Sequence, residues 1–447
     1  MKKVLSLVVL VAMVVLMLGG CAKKTTVEEV TKAEETIKVD GATSEAKEDA
    51  VATEAETVKI GVLVPLTGNN TQAGVEVQAL CKLFEDAINN IVGVNLPFHD
   101  VEGLPNLNGA KVEFVFGDLS TPDVAMTEAE RLINEEGVIG ITGTFSSAAT
   151  KTAAVATEKY GTILLSEGTS VSLLDMGYEN YGRTYPNDAS FVKDTFEYLA
   201  YLNKNQDAGI ATVALVCEDS EFGTNIAMTL REDAAKYNFE IVEDISYNAQ
   251  ASNVTSEVLR LKQADPDVII MSSYIADSLL FVSTYKEQNY FPRMLFGQRG
   301  GFTSSDFMKN LGEDANYCYT TSRWNSDFNS EVSQQVMKLY KSDYSKGIDL
   351  ISDVLSAGWD AYLIAIMANQ AGVTDVASLR QVMYDGIVVE PDQDPTGLPG
   401  YQYGEDGQNT VSAAIVLQML DGEFITVYPE NVAAAEGVYP ALGWQER

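Results

Sequence analysis

Two short stretches hold the residues best suited to ligand chemistry: Gly143-Thr-Phe-Ser-Ser-Ala-Ala-Thr150 and Ser166-Glu-Gly-Thr-Ser170. Each is rich in small hydroxyl residues and follows a short apolar run, Val138-Ile-Gly-Ile141 and Thr162-Ile-Leu-Leu165. The first leads into a helical pattern that runs to about Tyr160. At a helix start the first N–H groups lack intrahelical partners and carry partial positive charge, so hydroxyls placed there complete an anion site. In open α/β sheets ligands sit beyond the carboxyl ends of the strands. The two stretches therefore read as the floor of a small-molecule site. Taken singly, each also reads as an ordinary βα loop with N-cap serines.

Other chemistries find little support. The chain has no Gly-x-Ser-x-Gly elbow, no phosphate-binding glycine loop and no cofactor motif, and its single histidine, His99, cannot build a triad. Cys81, Cys217 and Cys318 are far apart with no Cys-x-x-Cys, which argues against zinc or redox chemistry; all three sit in apolar runs, where buried thiols are expected. Catalysis is not expected. The formal charge of −34 argues against nucleic acid as a partner, because phosphates demand basic patches.

The elements that must position the hydroxyl stretches follow a regular pattern. From Val58-Lys-Ile-Gly-Val-Leu-Val64 onward, strands alternate with helices: helix 75–91, strand 111–116, a helix opened by Thr121-Pro122, then the two strands already named. The alternation pauses at Tyr181-Gly-Arg-Thr-Tyr-Pro-Asn-Asp188. It restarts through strands at 212–217, 239–247, 268–271, 294–297 and 317–321, with helices between. Such alternation predicts parallel sheets with helical crossovers. Helices at 331–344, 354–371 and 376–385 come next, then strands 412–418 and 424–428, joined through the hairpin signal Asp421-Gly422. At 447 residues the chain exceeds what one core usually supports, so two domains are expected.

Residues 1–20 read as an export signal: Lys2-Lys3, an apolar run from Val4 to Leu18, then Leu18-Gly19-Gly20-Cys21. The last four residues resemble the bacterial lipoprotein box, in which the cysteine becomes the lipidated N-terminus. On that reading residues 21–57 form a flexible acidic tether, without aromatic residues or proline.

The order and spacing of several motifs resemble the type I periplasmic-type solute-binding proteins of the branched-chain amino acid (Leu/Ile/Val) ABC transporter class. The motifs are Ile60-Gly-Val-Leu-Val-Pro-Leu-Thr-Gly68, Phe116-Gly-Asp118, Ala129-Glu-Arg-Leu-Ile-Asn134, Gly143 to Ser147, Ser166 to Ser170, Gly182-Arg-Thr184, Glu218-Asp-Ser-Glu-Phe-Gly223, Asp265-Pro-Asp-Val-Ile-Ile270 and Trp359-Asp-Ala-Tyr362. They span nearly all of the chain after Val58. The resemblance implies two doubly wound parallel-sheet α/β lobes joined by a three-segment hinge. The lobes would comprise residues 58–187 plus 323–404 and residues 188–322 plus 405–447.

The resemblance also implies a site. Ser147, with Ser146 beside it, and Gly168, Thr169 and Ser170 would hold the polar end of an amino acid or similar small solute. Tyr274 would face them from the second lobe. The family places an acid after the strand at 294–297 to pair with the ligand ammonium; here Gln298 or Arg299 stands in that place, depending on a one-residue gap. Arg299 would suit a carboxylate or another anion instead. Asp219 and Asp277 are nearby acids for the ammonium. Asn70 and Gln72, in the loop after the first strand, would face the entrance. The implied protein is a monomeric lipoprotein on the extracytoplasmic face of a Gram-positive membrane that hands its solute to an ABC permease. A surface sensor with the same fold is the alternative.

Overall fold

The computed structural model describes residues 56–446 except residue 329. The expected signal, Cys21 and all but the last two residues of the tether lie outside the described residues.

The first sheet grows from a central strand, β1 (Val58–Val64), whose residues are buried except for one half-exposed position. Helix α1 (Thr71–Asn89), β2 (Val112–Asp118), α2 (Ala125–Arg131), β3 (Gly140–Gly143), α3 (Ser147–Tyr160), β4 (Ile163–Ser166) and the short β5 (Tyr181–Gly182) follow in order. All five strands are parallel, in spatial order β2-β1-β3-β4-β5. The chain therefore reverses its direction of winding between β1 and β3. At such a switch point the adjoining loops part and leave a crevice.

The second sheet repeats the plan. Helix α4 (Asp188–Gln206) leads to β6 (Thr212–Glu218), α5 (Glu221–Lys236), β7 (Glu240–Tyr247), α6 (Thr255–Ala264), β8 (Val268–Ser272), α7 (Ile275–Glu287), β9 (Leu295–Gly297), α8 (Ser305–Leu311) and β10 (Tyr319–Ser322). Helices α9 (Glu331–Leu339), α10 (Ser352–Ala371) and α11 (Val376–Asp385) return to the first sheet, where α10 packs on α1 and β3. Strands β11 (Ile415–Leu420) and β12 (Glu423–Tyr428) then close the second sheet as an antiparallel hairpin. Its spatial order is β12-β11-β10-β9-β8-β6-β7, with a switch point between β6 and β8. The hairpin turns on Asp421 and Gly422, both at positive φ (50° and 83°), the geometry that favours tight two-residue hairpins.

Each sheet is covered on both faces. One apolar cluster joins β1, α1 and α10, and another lies under α2 and α3. In the second lobe α4 and α5 cover one face and α6 to α8 the other. The described residues belong to one compact unit.

Three chain segments pass between the sheets, and two are stitched together. Arg183 N–H donates to the Gly407 carbonyl at 2.8 Å, and Asn409 N–H donates to the Arg183 carbonyl at 2.9 Å. Gln408 Nε2 donates to the Tyr185 carbonyl at 2.9 Å, and Asn409 Nδ2 to that of Thr184 at 3.0 Å. The third segment leaves β10 through Arg323, which is buried. Narrow connections of this kind permit hinge motion between packed bodies.

One boundary departs from the sequence-based expectation in a way that matters for the site. Helix α1 starts at Thr71, four residues before the predicted start, because Ala73 N–H bonds to the Asn70 carbonyl and Thr71 Oγ1 to that of Gly68. Asn70 therefore occupies the N-cap position and Gln72 lies within the first turn.

Candidate functional site

The loop after β3 has an unusual backbone. Gly143, Thr144 and Phe145 all have positive φ (91°, 66° and 46°), a region costly for residues with a side chain. The conformation is held by Thr144 N–H donating to the Leu63 carbonyl at 2.7 Å and by a 2.7 Å bond between the Thr144 and Thr150 hydroxyls. A Cβ at Gly143 would stand 2.3 Å from the Leu63 oxygen, so only glycine fits this close approach. The bend projects Phe145 across the cleft, where its ring stacks on Tyr274 with centroids 5.8 Å apart. Tyr274 follows β8 at the N-cap of α7, and its N–H is held by Glu218 at 3.0 Å.

Ser146 caps α3, its hydroxyl accepting from Ala149 N–H at 3.3 Å. Ser147 is buried, and its Oγ accepts from Ser170 N–H at 3.2 Å, which leaves its own proton to donate elsewhere. Thus the two hydroxyl stretches are joined directly. At Gly168 a Cβ would stand 2.5 Å from Thr150 Oγ1, which fixes how closely the second loop approaches α3.

Two adjoining cavities, of about 50 Å³ and about 40 Å³, lie between the carboxyl ends of the two sheets. Phe145, Glu167, Tyr274, Gly300 and Asp353 line both. The smaller also takes in Ser147, Gly168, Thr169 and Arg299; the larger extends to Asn70, Gln72 and Glu76. A wider opening of about 380 Å³ is bordered by Asn70, Ser146, Tyr274 and Asp277.

Of the residues singled out in the sequence, three lie outside these linings. The Ser170 hydroxyl is turned to Ser172 at 2.8 Å, because its N–H and carbonyl are taken by Ser147 and Arg183. Gln298 points into the second lobe and donates to Thr195 Oγ1 at 2.8 Å. Asp219 accepts from Ala249 N–H at 2.9 Å. Asp277 borders the opening, but its carboxylate is occupied by the N–H groups of Gln250 (2.8 Å) and Ala251 (3.0 Å). These two acids shape one loop. Arg299 reaches the cavity, yet it is no free anion clamp: its guanidinium donates to Asp353 and lies over the Phe191 ring at 4.9 Å.

The acids of the cavity wall escaped the sequence reading. Glu167 pairs with Arg323 of the hinge, Nη1 to Oε1 at 2.8 Å, while Arg323 Nη2 donates to the Glu167 carbonyl at 2.9 Å. Burial pushes the Glu167 carboxyl up from the ordinary 4.5 to about 7, against the opposing pull of Arg323. Burial also raises Asp353, but the charges of Arg299 and Arg323 overcome it and hold this carboxyl below the usual range. The one available signal for Glu167 was its place inside the second hydroxyl stretch, as a lone acid at a strand end.

The arrangement suits a small polar molecule, with donors from Ser147 and the α3 N-terminus, acceptors from Glu167, and aromatic walls from Phe145 and Tyr274. A family profile described as "Periplasmic binding protein" matches residues 57–423. The chain belongs to the periplasmic binding protein family. It is 26% identical over 392 residues to the Leu/Ile/Val-binding protein homolog 7 of Brucella suis biovar 1, covering 85% of this chain and 93% of that protein. Homolog 8 of Brucella abortus is also 26% identical, over 394 residues, with coverage of 85% and 92%. Among solved structures, the branched-chain amino acid transporter substrate binding protein LivJ from Streptococcus pneumoniae, in complex with isoleucine, superposes with a TM-score of 0.70 at 21% identity, covering 86% of this chain and all of that one (100%). A solute binding protein of an ABC transporter from R. palustris, in complex with benzoate, gives 0.68 at 17% identity, covering 86% and 98%. These likenesses support the type I fold of two α/β lobes about a hinge.

Proposed function

We propose that this chain is the solute-binding component of an ABC importer, taking an amino acid or a similar small polar solute between its lobes and delivering it to a membrane permease. The observation that carries this reading is the placement of the cavities. They sit at facing switch points, with Ser147, Gly168 and Thr169 from one lobe opposite Tyr274 and Arg299 from the other. Ser147 and the N-terminal end of α3 take the solute carboxylate. Glu167 takes its ammonium, in place of the acid that is missing beside Arg299. The cavities have room for a few waters each, the scale of one amino acid.

The Leu/Ile/Val-binding relatives in Brucella and the isoleucine complex of the pneumococcal protein support an amino acid as solute. The benzoate complex supports keeping other small carboxylates in view. The leader ending in Leu18-Gly19-Gly20-Cys21 supports lipid attachment at Cys21, on the outer face of a Gram-positive membrane. Replacing Cys21 by Ser is then expected to move the protein from the membrane fraction to the medium; retention in the membrane would remove the anchor from the proposal. A monomer with a separate permease completes the reading.

Thermal shift of refolded, ligand-free protein against amino acids, short amides, urea and small anions tests it. A ligand at about 100 times its Kd adds roughly 2.7 kcal/mol of stability. A flat response across the panel would contradict the proposal.

A further inference from the structure

The larger cavity carries a charge pattern that the solute-binding reading uses only at Glu167. Four carboxylates line it, Glu76, Glu167, Asp306 and Asp353, and among the described residues no lysine or arginine does. Three of the four have cations nearby. Glu167 has Arg323, Asp353 has Arg299, and Asp306 has Lys309 at 3.5 Å, which lies in an outer groove.

Glu76 is different. It projects from α1, is only 2% exposed, and forms no direct ion pair among the described residues, although it shares the outer groove with Lys309. Its Oε1 accepts from two neutral donors, Gln72 Nε2 and Ser305 Oγ, each at 2.7 Å. Its Oε2 is buried without a hydrogen-bond partner among the described residues. A buried carboxylate without a cation in contact is costly, and burial accordingly raises the Glu76 pKa against the weaker pull of Lys309 in the outer groove. The cost falls if a cation arrives with the ligand and makes that contact.

We infer that the solute carries a second positive group at the end remote from its carboxylate, and that Glu76 holds it. This inference rests on the proposed solute-binding role of the same cavity. The α-amino acid end lies at Ser147 and Glu167, and the side chain runs along the larger cavity between Val64, Val77 and Val354 to Glu76. That path suits an aliphatic chain ending in ammonium or guanidinium, the chemistry of lysine, ornithine or arginine. The whole-chain charge of −34 adds a field that draws cations toward the protein.

The test is calorimetric titration of refolded, ligand-free protein with L-lysine, L-ornithine, L-arginine, L-norleucine, L-leucine and L-glutamine. Norleucine keeps the aliphatic chain of lysine without the charge. A cationic amino acid is expected to bind at least about tenfold more tightly than norleucine. The isosteric Glu76→Gln is expected to remove most of that gap by weakening the cationic ligand, with the melting temperature of the ligand-free protein showing that the variant is folded. Norleucine, leucine or glutamine binding as tightly as every cationic ligand would overturn the inference and leave the solute-binding role standing. A gap unchanged in Glu76→Gln would overturn it too. Binding of no amino acid at all would overturn both.

Discussion

Arg299, just past β9 in the second lobe, donates a hydrogen bond to Asp353 at the start of α10 in the first, and Thr303 Oγ1 donates to the other oxygen of the same carboxylate at 2.7 Å. The pair joins the lobes at the wall of the cavity rather than at its rim. Because the lobes are hinged, a carboxylate left with only Arg323 as its cation, at 4.0 Å, can reach water if the cleft opens. Loss of one partner is therefore expected to appear as opening more than as unfolding. Arg299→Leu should shift the open–closed balance toward open by roughly 2 kcal/mol, less than for a fully enclosed pair because Asp353 is half-buried. Small-angle scattering of the ligand-free variant checks this: a larger radius of gyration than wild type is expected, and an identical curve would deny Arg299 the role of a clasp.

Tyr274 contacts two rings, Phe145 of the first lobe at 5.8 Å and Phe222 of its own lobe at 5.7 Å between centroids. Its ring is half-buried and borders every compartment of the cleft described above. Tyr274→Ala should weaken solute binding by about 1–2 kcal/mol, near the worth of an aromatic anchor at an interface. The unfolding midpoint of the ligand-free protein should change little. A loss of midpoint with unchanged affinity would place Tyr274 among residues that only pack.

Glu167 ties stability and binding to pH with opposite signs. Its carboxyl is raised from 4.5 to about 7 in the folded protein, chiefly by burial. Between these values the folded chain keeps a proton that the unfolded chain releases, so this group stabilises fully below pH 4.5 and its contribution is lost as pH rises through 7. Glu218, raised by burial to about 7, acts in the same direction. Urea midpoints should fall across this window, and Glu167→Gln should flatten the fall. An ammonium ligand needs the ionised carboxylate, so affinity should rise across the same window. Affinity that is flat with pH would remove Glu167 from the ammonium site.

Gly168 sets the distance between the second hydroxyl loop and α3. A methyl group there would meet Thr150 Oγ1 at 2.5 Å and Leu173 Cδ1 at 2.9 Å. Gly168→Ala should cost about 1–3 kcal/mol in urea unfolding, the usual cost of overpacking. Thr150→Ala in the same chain removes the nearest atom and should recover part of the loss; no recovery would assign the cost to the Leu173 contact instead.

Much of this architecture is legible in the sequence because its signals are local. An apolar run followed by small hydroxyl residues marks a βα junction, and Asp421-Gly422 marks a hairpin. Residues that depend on distant partners are not legible in that way. Glu167 is a lone acid among hydroxyls until Arg323, 156 positions later, comes to meet it. Arg299 looks like an anion clamp until α10 supplies Asp353. Ser170 shares the composition of its neighbours, yet backbone bonds to Ser147 and Arg183 turn its hydroxyl toward Ser172. Periodicity locates the loops; lobe packing decides which of their side chains reach the cavity.

Equilibrium dialysis of unfolded-and-refolded protein against an equimolar mixture of the natural amino acids, followed by chromatography of what the protein retains, asks most directly whether the interlobe cavity binds an amino acid. One equivalent of a single amino acid, or of a closely related set, should be retained per chain, with retention reduced in Tyr274→Ala and in Glu167→Gln. No enrichment of any amino acid over its free concentration by the folded wild-type protein would contradict it.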